Sequence, residues 1–180
     1  MPEPKFRVIT IADTSDPDVA VKLDRLVTDV KSKTNILGAR HGRIGTGNNA
    51  GKVIFAQVYA SMGDIEAAYD VMGASDAYRD LLSVVSVERR NIGSIQVNAK
   101  SGNDDPKYAV LTVVASHDPM IEDAQHLAKV FTKNGALTVN YGTIMTGENT
   151  GNRLLGVLYP SMAAIETAYD VLRSDDIYNS

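Results

Sequence analysis

The chain has 180 residues, of which 44% are hydrophobic and 22% charged, so we expect a packed globular core rather than disorder. Its formal net charge of −4 and the absence of an apolar stretch of about 18 residues predict a protein that binds neither nucleic acid nor membrane. The lack of cysteine excludes disulfides, thiolate metal sites and cysteine nucleophiles, and an N-terminus without an apolar signal segment favours a cytoplasmic location.

The first half of the sequence predicts the element order β-α-β-β-α-β. The first helix should begin at Asp16-Pro17, with Asp16 as N-cap and Pro17 in the first turn. The second helix should begin after Ser61, since Asp64 lies three residues further on in the capping-box position, and a short helical piece should cover Ser75–Leu82. The predicted strands, which are β-branched and apolar, are Phe6–Ala12, Ile36–Gly45, Val53–Tyr59 and Ser86–Val97.

The same pattern recurs about 100 residues later. Gly42–Tyr78 and Gly142–Tyr178, aligned without gaps, share 17 of 37 residues, far more than the roughly two expected from residue usage. The second copy predicts strands and helices at Tyr108–Ala115, Pro119–Lys133, Ala136–Thr146, Arg153–Tyr159 and Ser161–Arg173. No counterpart of the fourth strand follows, so the second copy lacks its last strand.

These elements predict an α+β fold of two tandem ferredoxin-like repeats, with residues 1–100 and 107–180 as the repeats and 101–106 as the linker. The strand segments VIFAQVY and LLGVLY are almost continuously apolar, which indicates sheets covered on both faces. We therefore expect the two sheets to pack face to face as one α+β barrel. An open sheet edge invites pairing, so we also expect Ser83–Lys100, bending near Gly93, or a second protomer to cover the second sheet.

The doubled unit resembles a known superfamily through its strand-to-helix step, Tyr-x-Ser-Met-x-x-Ile-Glu-x-Ala-Tyr-Asp, which begins at Tyr59 and again at Tyr159. This pattern is similar to that of the dimeric α+β barrel proteins. They include cofactor-free antibiotic-biosynthesis-type monooxygenases, haem-handling proteins related to chlorite dismutase, stress-responsive barrel proteins and muconolactone isomerases. The resemblance covers nearly the whole chain and implies the fold more firmly than a function.

Polar residues within the apolar strands are the candidates for a pocket lining, because a buried polar group costs free energy unless it is paired. Strand parity would place several of them on one sheet face. The alternative is that they satisfy one another or lie where the barrel opens to water. The candidates are Thr10, Arg40, His41, Gln57, Tyr59, Thr112, Asn140 and Tyr159.

Other motifs carry less chemistry. The glycine-rich loops after Gly45 and Met145 lie between strands, so turn formation explains them better than phosphate binding. The histidines His41, His117 and His126 lack metal-site spacing, and His41, within a strand, is the best titratable candidate. We expect no metal and no other cofactor.

The leading hypothesis is a barrel that handles a small molecule. By the resemblance it would be a cofactor-independent monooxygenase-like or isomerase-like enzyme acting on an apolar or aromatic organic substrate. The alternative is a non-catalytic barrel that binds a ligand or serves in assembly, including homo-oligomers formed through a sheet edge.

Overall fold

A computed structural model describes residues 2–180, which form two compact units of the same α+β type. The first unit contains the chain up to Gly93 together with Thr146–Glu148, and the second contains Ser94–Met145 and Asn149–Ser180. The division into repeats at 1–100 and 107–180 stays a prediction, and each unit is described below by itself.

The first unit has a four-stranded sheet in the order β2-β3-β1-β4, which is the strand order of a ferredoxin-like repeat. Strands β1 and β2 both run antiparallel to β3, and helices cover one face of the sheet. Its elements are β1 (Phe6–Asp13), α1 (Val19–Lys33), β2 (Gly38–Arg43), β3 (Val53–Tyr59), α2 (Met62–Ala74), α3 (Asp76–Leu82) and β4 (Ser86–Ser94).

The starts of α1 and α2 differ in how well the sequence predicts them. Helix α2 begins as expected, with the Asp64 amide donating to Ser61 Oγ at 3.1 Å and Ser61 Oγ donating to Asp64 Oδ2 at 2.7 Å. The prediction that α1 begins at Asp16 is wrong, because α1 begins at Val19. The Asp16 carboxylate instead accepts the Asp18 amide at 2.9 Å, and this turn delays the helix.

The second unit has a sheet in the order β5-β7-β8-β6. As predicted, no strand follows its last helix among the described residues. Helix α4 begins after the predicted Pro119, because Asp118 Oδ1 accepts the Met120 amide at 2.9 Å in the same kind of turn. Its elements are β5 (Val97–Lys100), β6 (Tyr108–Val114), α4 (Ile121–Lys133), β7 (Thr138–Thr143), β8 (Arg153–Tyr159), α5 (Met162–Leu172) and α6 (Asp176–Asn179).

The single long strand predicted at Ser86–Val97 is two strands. Strand β4 joins the first sheet and β5 joins the second, so the expectation that this segment serves both sheets is confirmed. However, β5 pairs with β7, whereas the missing last strand would pair with β6. The edge of β6 therefore has no strand partner within residues 2–180.

The predicted closure into a barrel is wrong. The two sheets are hydrogen-bonded separately, and no strand pair within the described part of the chain joins them. Each sheet keeps two edge strands, β2 and β4 in the first and β5 and β6 in the second, whereas a closed barrel has none. Among the helices of residues 2–180, none has the length and apolar character needed for a membrane span.

Candidate functional site

The first unit contains a small cavity between its sheet and the helices that cover it. The enclosed space measures about 30 Å³, which suits water or dioxygen and is too small for an organic molecule. Leu26, Phe55, Met72 and Leu81 form apolar walls. Leu82 and Val87, at the rim, are about 40% exposed, so the cavity continues into an open apolar cleft between α3 and β4.

A single cation, the guanidinium of Arg90, lies at the wall of this cavity and is held by polar and aromatic side chains. Arg90, on β4, donates through Nε to Thr10 Oγ1 at 3.0 Å and through Nη2 to the Tyr78 hydroxyl at 3.3 Å. Its guanidinium carbon lies 5.7 Å from the centre of the Tyr69 ring, within the range of a cation–π interaction. Three elements besides its own strand therefore hold the guanidinium in place.

A second polar pair lies deeper in the same core. Gln57 Nε2 donates to the Tyr59 hydroxyl at 2.8 Å and lies 3.8 Å from the sulfur of Met72, which lines the cavity. Burial raises the pKa of Tyr59 well above its usual value, the neighbouring Tyr69 adds to this, and Arg90 opposes it. Tyr59 is therefore a neutral hydroxyl at physiological pH and cannot serve as a general base.

Of the candidates predicted in the first unit, three lie at or beside this cavity. Thr10 forms part of its wall, and Gln57 and Tyr59 adjoin it through Met72. Arg40 is exposed on the sheet face away from the helices. His41 Nε2 lies 2.6 Å from Asp24 Oδ1 on α1, so it contacts a surface carboxylate.

The three candidates in the second unit do not meet at one cavity. Thr112 is exposed on β6. Asn140 Nδ2 donates to Asn98 Oδ1 at 2.6 Å, between β7 and β5. Tyr159 is fully buried, and its hydroxyl has no hydrogen-bond partner among residues 2–180. A common pocket lined by all eight predicted residues stays a prediction.

Sequence reasoning missed Arg90, Tyr69 and Tyr78. Both tyrosines are identical in the two copies, but Tyr69 fits the buried stripe of a helix, and Tyr78 lies within the predicted short helical piece Ser75–Leu82. Arg90 lies in the segment before Gly93 where the sequence predicts a bend, which gives no sign of a functional side chain. Sequence reasoning also missed Arg7, a buried arginine on β1 whose pKa burial lowers to about 10.

Two other arrangements do not form a site. An open hollow of about 430 Å³ lies beside Pro2, Ile36 and Asp64, but the carboxylate of Asp64 already bonds the cap of α2. Within residues 2–180 no group of three or more histidine, aspartate or glutamate side chains is arranged to hold a metal ion.

One protein-family model matches the chain twice, once in each half. The family model, described as a domain of unknown function (DUF6854), matches residues 4–95 and again residues 106–180. The second match is shorter, in agreement with the missing last strand. No curated protein matches the sequence.

Solved structures match almost the whole chain at low identity. A provisionally named monooxygenase from Fusobacterium nucleatum is 15% identical with a TM-score of 0.64, over 99% of this chain and 84% of that one. An anthrone oxidase-like protein is 14% identical with a TM-score of 0.56, over 98% and 83%. A chlorite dismutase from Candidatus Nitrospira defluvii is 8% identical with a TM-score of 0.59, over 97% and 84%. At these identities the likeness shows the ferredoxin-like α+β fold alone.

Proposed function

Because the chain belongs to the DUF6854 family, whose description specifies no reaction, we propose a function from the geometry of the first unit. The protein handles a small apolar or aromatic organic molecule that carries one acidic oxygen. The finer proposal is a cofactor-independent oxygenation or isomerisation of that molecule, with Arg90 at the centre of the site.

The observation that supports this proposal is a fixed cation at an apolar cavity. Thr10 and Tyr78 accept hydrogen bonds from the guanidinium of Arg90, and the remaining walls are hydrocarbon. A guanidinium beside hydrocarbon stabilises an anion more strongly than it would in water. An enolate or phenolate on an aromatic body matches both features.

Such a site favours oxidation without a cofactor. When a methylene group that is conjugated with a carbonyl, directly or through an aromatic ring, loses a proton to water, the electron pair moves to the carbonyl oxygen. The resulting enolate or phenolate is stabilised by Arg90. Dioxygen can oxidise this electron-rich anion directly. In the net reaction the CH₂ group becomes C=O, one oxygen atom enters the product and the other leaves as water.

Because the cavity is small, the aromatic body of the substrate and the dioxygen would occupy different parts of the site. The enclosed space of about 30 Å³ admits dioxygen or water but no ring. The aromatic body would therefore lie in the open cleft against Leu82 and Val87, with its oxygen directed towards Arg90.

Anthrone is a suitable probe, since it is a methylene ketone that dioxygen converts to anthraquinone and water. We expect the protein to consume one dioxygen per anthraquinone formed, as measured with an oxygen electrode and by absorbance. Arg90→Met should lower the rate at least about tenfold, because a charge-assisted hydrogen bond to the anion is lost.

The matched control is Arg89→Met. Arg89 is the adjacent residue of the same strand and pairs with Glu148 rather than with the cavity. It should keep the parent rate, and melting temperatures identify any variant that fails to fold. Turnover no faster than the spontaneous reaction, or equal loss in both variants, would contradict the proposal.

The alternative is a non-catalytic protein that binds a ligand or serves in assembly. The small enclosed volume in the first unit and the uncovered edge of β6 in the second favour it. Under this alternative anthrone is not turned over, no Arg90-dependent ligand is found by mass spectrometry of the denatured protein, and light scattering detects a homo-oligomer.

A further inference from the structure

The two units repeat the same polar cluster around a strand edge. Each has a threonine in its first strand and three tyrosines, one at the end of the third strand and two on the helices that follow. The corresponding pairs are Thr10 and Thr112, Tyr59 and Tyr159, Tyr69 and Tyr169, and Tyr78 and Tyr178.

In the first unit an extended strand lies along this edge and supplies a cation. Strand β4 is the neighbour of β1, and its Arg90 contacts Thr10, Tyr69 and Tyr78. This single side chain satisfies two oxygen acceptors and one aromatic face.

In the second unit the same edge is uncovered. Strand β6 has β8 as its only strand neighbour in the described chain, and Tyr108 and Val113 on it are 44% and 48% exposed. An uncharged edge strand with this exposure is unusual, because edges are ordinarily protected by charge, proline or a cover.

The polar groups of the second cluster lack the partners that their counterparts have. Thr112 makes no side-chain hydrogen bond within residues 2–180, whereas its counterpart Thr10 accepts one from Arg90. The ring of Tyr178 lies edge-to-face against the Tyr169 ring, at 6.5 Å between centres. Burial and the neighbouring tyrosines raise the pKa of Tyr159, and no cation opposes them as Arg90 does at Tyr59.

We propose that the edge of β6 binds an extended peptide strand that places an arginine against Thr112, Tyr169 and Tyr178. Main-chain hydrogen bonds to β6 would hold the peptide, as in other cases of strand addition, and the arginine would select it. Arginine is preferred to lysine because its planar donors can reach two hydroxyl oxygens while the guanidinium lies over a ring.

A second copy of β6 fits this edge less well. Pairing of β6 with itself would bring together two strands that read YAVLTVV, neither of which carries a charged residue. The hydroxyls of the cluster would then still lack a cation. This inference concerns the second unit and does not depend on the reaction proposed for the first.

The chain itself provides the probe. A synthetic peptide with the sequence of residues 84–94, labelled at its N-terminus, contains β4 and Arg90. We expect it to bind the full-length protein saturably, as measured by fluorescence anisotropy. The same peptide with Arg90→Met should bind at least about tenfold more weakly, while the peptide with Arg89→Met should bind like the parent. These peptides test the proposal without changing the protein.

Two further measurements locate the binding. Hydrogen exchange should show new protection in β6, and Thr112→Val or Tyr178→Phe should weaken binding, while Leu111→Val, on the opposite strand face, should not. Protection confined to the first unit, or equal binding of the two substituted peptides, would overturn the proposal. A homo-oligomer with β6 already protected in the absence of peptide would also overturn it, in favour of self-pairing.

Discussion

The two units share a scaffold and differ at the edge of their first strand. In the first unit β4 covers β1 and places Arg90 against Tyr69 and Tyr78. The second unit keeps the equivalent tyrosines on α5 and α6, but β6 has no strand on that side within residues 2–180. The repeated residues thus specify caps, hairpins and helix packing, which both copies need. The non-repeated strand determines the charge at the cluster.

Single residues at equivalent positions show how the copies have diverged. Gln57 corresponds to Val157, so the Tyr59 hydroxyl has a partner and the Tyr159 hydroxyl does not. Val53 corresponds to Arg153, which is buried and bonds the carbonyls of His117 and Asp118 at 2.9 and 3.2 Å. The second unit therefore uses an arginine to fix the loop between β6 and α4.

The largest expected effect is a difference in stability between alanine variants of Gly142 and Gly42, which lie at the start of the two hairpins. A Cβ at Gly142 would lie 1.8 Å from the Ser94 carbonyl oxygen, whereas a Cβ at Gly42 would meet nothing within 4 Å. Gly142→Ala should lower the free energy of unfolding by about 3 kcal/mol and detach β5, and Gly42→Ala should change it by less than about 0.5 kcal/mol. Urea denaturation measures both, and similar values would show that Ser94 does not pass closely over β7.

The two equivalent tyrosines should respond differently to loss of their hydroxyl groups. Tyr59→Phe removes the partner of Gln57 and should cost about 1 kcal/mol. Tyr159→Phe removes an unpaired buried hydroxyl and should be neutral or stabilising. The measurement is the denaturant midpoint of each variant, and a cost at Tyr159 equal to that at Tyr59 would mean that its hydroxyl finds a partner in solution.

The helix caps should respond almost alike. Ser61 and Ser161 each accept the amide three residues further on, at 3.1 Å, so alanine at either position should cost about 1 kcal/mol. Ser61→Ala should cost slightly more because Ser61 also donates to Asp64, where the second copy has Ala164. Loss of activity in either variant at an unchanged melting temperature would contradict a purely structural role.

The smallest effect is a pH dependence specific to the second unit. His126 and the α6 amides hold the pKa of Asp175 below its usual value, while the equivalent cap in the first unit is the neutral Ser75. As the pH falls, Asp175 therefore takes up its proton in the unfolded state before it does so in the folded state. The stabilisation by Asp175 is present above its unfolded pKa of about 4 and is lost as the pH falls through its lower folded pKa. Asp175→Asn should reduce the loss of stability between about pH 5 and pH 3. A parallel pH profile for both proteins would show that this pair contributes nothing.

The sequence by itself determined the features that depend on neighbouring residues. The repeat, the bounds of β3 and β8, the capping box at Ser61 and the missing last strand all follow from strand patterns and caps within about ten residues. It also indicated that the segment after Ser83 serves both sheets, since that segment is too long for one strand of a small sheet.

Only the tertiary structure decided which edges pair and which side chains meet. Arg90 and Thr10 are 80 residues apart, and strand parity could not say whether Arg89 or Arg90 faces the helices without knowing where β4 begins. Strand β5 pairs with β7 rather than β6, and just before β5 the chain passes so close to Gly142 that no Cβ would fit there. These outcomes depend on packing between distant segments, and local propensity carries no information about them.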